Sequence, residues 1–176
     1  MALSSTPYKI VFDISDIERN VYAQEKLTVA RHPSETETRL LARILAYALF
    51  YHEQLQFGRG LSDADEAALW QIDYTNAIEH WIDVGLPDVE RVQKASRRAP
   101  RYSLIVYGNS RMWKSKALPE LATLTNVRVY ELPEQELAEI AGLLERNMQL
   151  SITISDGVLY LSFAEHSFTL AITELL

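Results

Sequence analysis

The residues best suited to chemistry lie in the run Trp81-Ile82-Asp83-Val84-Gly85-Leu86-Pro87-Asp88, which continues through Arg91 and Lys94. Its alternation predicts a strand with Asp83 on one face and Ile82 and Val84 on the other. Gly85 frees the backbone, Pro87 cannot join a ladder in mid-sheet, and Asp88 can cap a following helix by accepting a first-turn amide. A carboxylate therefore stands on a strand close to the mouth of a helix. Such a place can hold a metal ion or a phosphate, and the same pattern also serves as plain punctuation between strand and helix. Asp65-Glu66 is a second acidic feature, and Glu35 a third. Glu35 is spaced i, i+4, i+8 with Arg39 and Arg43, which reads either as a salt-bridged solvent face or as an acid turned into a site.

Basic residues gather between Arg91 and Arg101, with Lys94, Arg97 and Arg98 between them. On a helix running from Asp88 to about Ala99, Val89, Val92, Ala95, Ser96 and Ala99 fall on one side, and Arg91, Lys94, Arg98 and Arg101 on the other. The basic stripe is thus expected to face away from the packing surface, toward solvent or an anionic partner. A net charge of −7 disfavours indiscriminate nucleic-acid binding, so only a local cluster could serve. The chain has no cysteine, which removes disulfides, thiol nucleophiles and cysteine-ligated metal sites and fits a reducing compartment. His32, His52, His80 and His166 show neither metal-ligand spacing nor a triad pattern and read as structural or surface groups. Gly58-Arg59-Gly60 lacks the lysine of a phosphate loop, and the three tryptophans read as core aromatics.

The elements that must position these residues follow in order. Tyr8 to Ile14 and Val21 to Ala30 predict an opening hairpin, and Ser34-Glu35-Thr36-Glu37 predicts a capping box. The helix behind it carries Leu40, Leu41, Ile44, Leu45, Ala48 and Leu49 at helical spacing. Leu55 to Phe57 is a short strand, and Ser62 to Glu66 opens a turn. Trp70 to Tyr74 pairs with Ile78 to Val84 through a turn at Asn76-Ala77, which brings Glu66 and Asp83 into one sheet neighbourhood. Tyr102 to Tyr107 reads as a central strand covered on both faces. Ser110 to Leu124 predicts a helix broken or restarted at Pro119, Asn126 to Leu132 a strand, and Pro133 to about Asn147 a helix, an order that implies parallel βαβ units. Leu150 to Ile154, Val158 to Phe163 and Phe168 to Ile172 are closing strands, with Asp156-Gly157 as a hairpin turn.

At 176 residues, 48% hydrophobic and 23% charged, the expectation is one domain over residues 1–176, a mixed α/β fold with extra antiparallel hairpins at both termini. Neither a signal peptide nor a membrane-spanning run is expected, which predicts a cytoplasmic protein.

Asp65-Glu66, the block from Trp81 to Asp88, Arg91 and Lys94-Ala95 resemble the signature of the YaeQ family, small bacterial proteins of about this length. Arg31-His32-Pro33-Ser34-Glu35-Thr36 and Gly58-Arg59-Gly60-Leu61-Ser62 also match its pattern, so the resemblance covers most of the chain. It implies a variant PD-(D/E)XK restriction-endonuclease-like core, a mixed sheet flanked by helices. In that superfamily two acids on neighbouring strands hold Mg²⁺, and a lysine two residues past the second acid positions or deprotonates the attacking water. Carried over, the resemblance implies that Asp83 is the second acid, Glu66 or Asp65 the first, and Glu35 the helix acid. Gly85 stands where the lysine belongs, which makes Lys94 the candidate for a migrated lysine and Arg91 and Arg98 candidates for substrate contact. Two functions follow as expectations: a Mg²⁺-dependent phosphodiesterase acting on nucleic acid, or a nuclease-fold protein without cleavage that binds nucleic acid or a protein partner.

Overall fold

The computed structural model describes residues 4–59 and 65–176. The long alternating segments at the start of the chain form β1 (Thr6–Asp16) and β2 (Val21–Arg31), paired antiparallel with Tyr8, Ile10, Phe12 and Ile14 inward. The closing strands are β8 (Asn147–Ser155), β9 (Val158–Phe163) and β10 (His166–Ala171), and Asp156-Gly157 turns the β8–β9 hairpin as expected. The two terminal hairpins are not separate additions. β1 and β8 pair in parallel over Lys9–Asp16 and Asn147–Ile154, fusing them into one five-stranded sheet of order β10-β9-β8-β1-β2. Both strands carry alternating apolar residues and polar outer faces, and nothing local in either names the other as its neighbour.

The second sheet has six strands. β3 (Leu55–Phe57), β4 (Leu69–Ile72), β5 (Ile78–Val84), β6 (Arg101–Val106), β7 (Val127–Glu131) and β11 (Thr173–Glu174) lie in the order β11-β7-β6-β5-β4-β3. β5, β6 and β7 are parallel and joined by α2 (Val89–Ser96) and α3 (Arg111–Leu121), the βαβ arrangement expected from the sequence. α1 (Glu37–Leu49) precedes β3, and α4 (Glu134–Ala141) precedes β8.

Two apolar clusters fill the spaces between layers. One joins the inner face of the five-stranded sheet, α1, α4 and the face of the six-stranded sheet that carries Leu69, Ile82, Val84 and Ile105. The other joins α2 and α3 to the opposite face through Trp81, Val92, Tyr102, Leu104, Val127 and Val129. α1 is buried without a break from Leu40 to Ala48, Arg43 included, because it packs against both sheets. The one-sided pattern read from its leucines and isoleucines understates this.

Four local expectations differ from the structure. The helix cap is Thr36, whose hydroxyl accepts the Arg39 amide at 3.1 Å, while Ser34 Oγ is engaged with His32 Nδ1 at 2.7 Å, so the Ser34–Glu37 capping box does not form. α4 stops at Ala141 and not near Asn147, which already belongs to β8. Pro119 sits inside α3 without breaking it; the ladder resumes with Ala122 N donating to Leu118 O at 2.9 Å. β10 begins at His166, two residues before the expected strand.

One polar pair is built into the inner face of the six-stranded sheet. His80 on β5 and Ser103 on β6, both buried, share a hydrogen bond of 2.7 Å between Nε2 and Oγ. Burial, helped by the charges of Arg101 and Arg19, pushes the His80 pKa from 6.5 down to about 4. Below pH 6.5 the unfolded chain takes up a proton that the folded chain refuses, so stability is lost as pH falls through that window and levels off, for this group, near pH 4. Urea unfolding at pH 7 and pH 4.5 is expected to show His80→Gln losing about 2 kcal/mol less over the interval than the parent chain. Parallel losses in the two proteins would mean that His80 titrates normally.

Candidate functional site

Asp83 stands near the end of β5, two residues before Gly85. Because side chains alternate, it points with Trp81 to the face covered by α2, while Ile82 and Val84 point to the face covered by α1. It is 3% exposed and meets four donors. Arg91 Nη2 and Nε reach its two oxygens at 3.1 and 3.2 Å, Tyr102 Oη donates at 2.9 Å, and the Ala68 amide donates at 3.3 Å. Asp88 caps α2 by accepting the Arg91 amide at 2.8 Å, as the sequence implies, and so sets the helix turn from which Arg91 reaches back. Burial works against the Arg91 charge, but the Asp83 carboxylate outweighs it and the pKa is raised. Burial and then the Asp83 charge push the Tyr102 pKa well up, so the phenol keeps its proton and remains a donor.

The basic side of α2 faces solvent only in part: Lys94 is exposed, as the helical wheel implies, while Arg91 and Arg98 turn back onto the body. It clasps the segment ahead of β4. Arg91 Nη2 donates to Glu66 O at 3.1 Å, and Arg98 Nη1 to Asp65 O at 2.7 Å. Lys94 Nζ lies 3.6 Å from Asp65 Oδ1 with both side chains exposed. The Arg98 guanidinium also covers the Trp81 ring at 4.8 Å from its centroid, a cation–π contact. Arg101 has left the helix altogether and begins β6. The Glu66 carboxylate turns to Arg59, accepting its amide at 2.8 Å with the guanidinium at 3.5 Å. Gly60 to Ala64, which include parts of two sequence motifs, lie outside the described residues.

Asp83 and Arg91 are therefore brought together with the main chain of Glu66, whose carboxylate turns away to Arg59, while Arg98 and Lys94 hold the adjoining Asp65. Glu35 does not join them. It belongs to the α1 layer, where Arg43 grips both carboxylate oxygens at 2.7 Å, Arg39 reaches Oε1 at 2.6 Å and the His32 amide reaches Oε2 at 3.3 Å. Glu35 and Arg43 are 3% and 1% exposed, so the i, i+4, i+8 set is a buried network and not the solvent face expected. Arg43 spends a further donor on Ala30 O at 2.9 Å, fastening the end of β2 to α1.

These residues do not fit a divalent cation as arranged. Mg²⁺ needs oxygen atoms with lone pairs to offer, whereas Asp83 has its own lone pairs filled by a guanidinium, a phenol and an amide. Among the described residues no group of three histidine, cysteine or acidic side chains could hold a metal. Gly85, where the resemblance leads one to expect a lysine, has φ +108°, a conformation that side-chain-bearing residues rarely adopt. Sequence reasoning missed Tyr102, which looked like one more apolar residue of a central strand. The available signal was the parallel pairing itself: with Trp81 opposite Tyr102, the two share a face with Asp83.

Four substitutions test this geometry by urea unfolding. Asp83→Ala is expected to cost about 2–3 kcal/mol, since Arg91 keeps partial access to water, and Tyr102→Phe about 1 kcal/mol. Glu35→Gln leaves a fully buried guanidinium uncompensated, for an expected loss of about 3–5 kcal/mol. Gly85→Lys is expected to cost about 1–3 kcal/mol through backbone strain; an unchanged midpoint would contradict the left-handed conformation there.

Comparison with known proteins gives the chain its relatives. The sequence model described as "YaeQ protein" matches residues 1–172. The chain is 37% identical over 175 residues to "Uncharacterized protein YaeQ" of Salmonella typhi and 35% identical to that of Escherichia coli (strain K12), in each case covering 98% of this chain and 97% of the relative. The crystal structure of YaeQ protein from Pseudomonas syringae superposes with a TM-score of 0.95 at 41% identity, covering 98% of this chain and 96% of the other. That of the YaeQ protein from Xanthomonas axonopodis pv. citri gives 0.94 at 39% identity, covering 98% of both. Family match, full-length identity and shared mixed α/β architecture agree: the chain belongs to the YaeQ family.

Proposed function

We propose that this protein is a nuclease-like scaffold that binds nucleic acid without cutting it. The observation that carries the reading is the saturation of Asp83 by Arg91, Tyr102 and the Ala68 amide. In a metal-dependent nuclease of the PD-(D/E)XK kind, two carboxylates share a cation that activates water and offsets charge on the phosphate. Here the guanidinium of Arg91 does the charge balancing for Asp83 and at the same time holds the Glu66 carbonyl. A covalently tethered cation of this kind stabilises the fold but cannot activate water.

Binding falls to the exposed end of α2. Lys94 and Arg97 are exposed there, beside a clasp that already uses Arg91 and Arg98 structurally. An overall charge of −7 confines any polyanion contact to such a local patch. A Mg²⁺-dependent nuclease is the second reading. It draws support from one feature, that Arg91 joins the Asp83 carboxylate to the Glu66 main chain; withdrawal of Arg91 would leave Asp83 able to share Mg²⁺ with Glu66, with Lys94 in the role of the missing lysine. A protein partner in place of nucleic acid is a further outcome of the same test.

Calorimetric titration of the whole chain with Mg²⁺ and Mn²⁺ near pH 7.5 is expected to show no saturable binding. Saturable binding that disappears in Asp83→Ala would establish the nuclease reading instead. Retention of a short DNA or RNA at low salt is expected to weaken in Lys94→Gln/Arg97→Gln, with the salt slope falling by about 1 for each phosphate that the variant no longer neutralises. Retention that is absent in the parent chain, or untouched in the variant, would remove the nucleic-acid reading and leave the protein partner.

A further inference from the structure

On the other face of the six-stranded sheet from Asp83 lies a cleft of about 720 Å³, within the usual range of small-molecule sites. Its floor is a polar row set across four strands. Gln71 pairs with His80, His80 with Arg101, and Ser103 with Arg128, so the alternation of β4 to β7 turns all five side chains to one face. Phe50, at the end of α1, leans over this floor with its ring 5.2 Å from His80 and 5.8 Å from Tyr130.

The polar accounting of the cleft is uneven. His80 and Ser103 satisfy each other. Arg19 is fully employed: it pairs with Asp16 at 2.6 Å and donates to the carbonyls of Tyr51 and Ala48 at 3.0 and 3.4 Å, closing the end of α1. Glu18 accepts the Gly157 amide at 3.1 Å. Arg101 donates to Gln71 Oε1 and Arg128 to the carbonyl of its own neighbour Val127, both at 3.0 Å, and among the described residues neither makes an ion pair. Glu174 stands at the rim, opposite Tyr130 in the β11–β7 pairing, but does not engage either guanidinium. Two exposed guanidinium forks on adjacent strands thus retain most of their five donors each, beside aromatic rings.

We propose that this cleft binds a small phosphorylated molecule with a planar ring, of the mononucleotide class, its phosphate held by Arg101 and Arg128 and its ring laid against Phe50 and Tyr130. One carboxylate is satisfied by one guanidinium fork; a phosphate monoester, with about two negative charges and three terminal oxygens, uses two. Every nucleobase offers a flat face to aromatic side chains, which suits the opposite wall. The proposal stands apart from the reading of the Asp83 site, since the two lie on opposite faces of the sheet and either can fail alone.

The test is calorimetric titration of the whole chain with adenosine 5′-monophosphate, adenosine and inorganic phosphate. The nucleotide is expected to bind saturably and at least about tenfold more tightly than either half alone. Arg128→Gln, whose guanidinium touches only a neighbouring carbonyl, is expected to weaken nucleotide binding about tenfold while leaving adenosine binding and the melting temperature unchanged. No saturable nucleotide binding up to about 10 mM would overturn the proposal. So would nucleotide affinity that survives both Arg128→Gln and Arg101→Gln, or inorganic phosphate that binds as tightly as the nucleotide.

Discussion

A carboxylate inside a sheet demands a counter-charge, and the architecture around β5 is the answer to that demand. Asp83 is almost wholly removed from water, so without partners it would be neutralised or expelled. Arg91 supplies the charge, Tyr102 and Ala68 supply the remaining donors, and each partner arrives from a different place: α2, β6 and the residue just ahead of β4. The pair therefore does more than balance itself. It fixes how α2 lies on the sheet and where the segment ahead of β4 comes down, and Lys94, one turn along, and Arg98, just past the end of α2, reinforce the same clasp.

Glu35 and Arg43 repeat the device in the other layer, with a bidentate grip that also ties down the end of β2. A buried ion pair of this kind adds little net stability compared with apolar packing, yet is costly to break on one side only. The two pairs act as registration pins, one holding α2 to the six-stranded sheet and the other holding α1 to the end of β2 in the five-stranded sheet. They constrain which helix turn meets which strand, a constraint that apolar contacts between α1, α2 and the sheet leave looser.

Much of the fold was legible in the chain. Alternation placed β1, β2, β5, β7 and the closing hairpin, a continuous apolar run placed β6, and the order of strands and helices from Ile78 to Glu131 implied the parallel run. What escaped was long-range. No local pattern says that β1 takes β8 as a parallel neighbour, or that α1 has a sheet on each side. The site was half legible: Arg91 does meet Asp83, and Arg91 and Arg98 hold the main chain of Glu66 and Asp65, but a helical wheel drawn around α2 alone treats charge as outward by default. It could not register that a buried acid and a tryptophan on β5 draw two of those arginines inward. Glu35 was placed there by the resemblance, and nothing in its spacing along the helix says which side of a sheet the helix occupies.

The pairing of β1 with β8 has a consequence for how the molecule is made. More than a hundred residues separate the two strands, so on a ribosome the first hairpin emerges with β1 unpaired along the side that β8 will later fill. Until then it offers a long, half-apolar edge to any other nascent chain. Such a separation puts the closure of the five-stranded sheet among the late steps of folding, after the last third of the chain has formed its own hairpin.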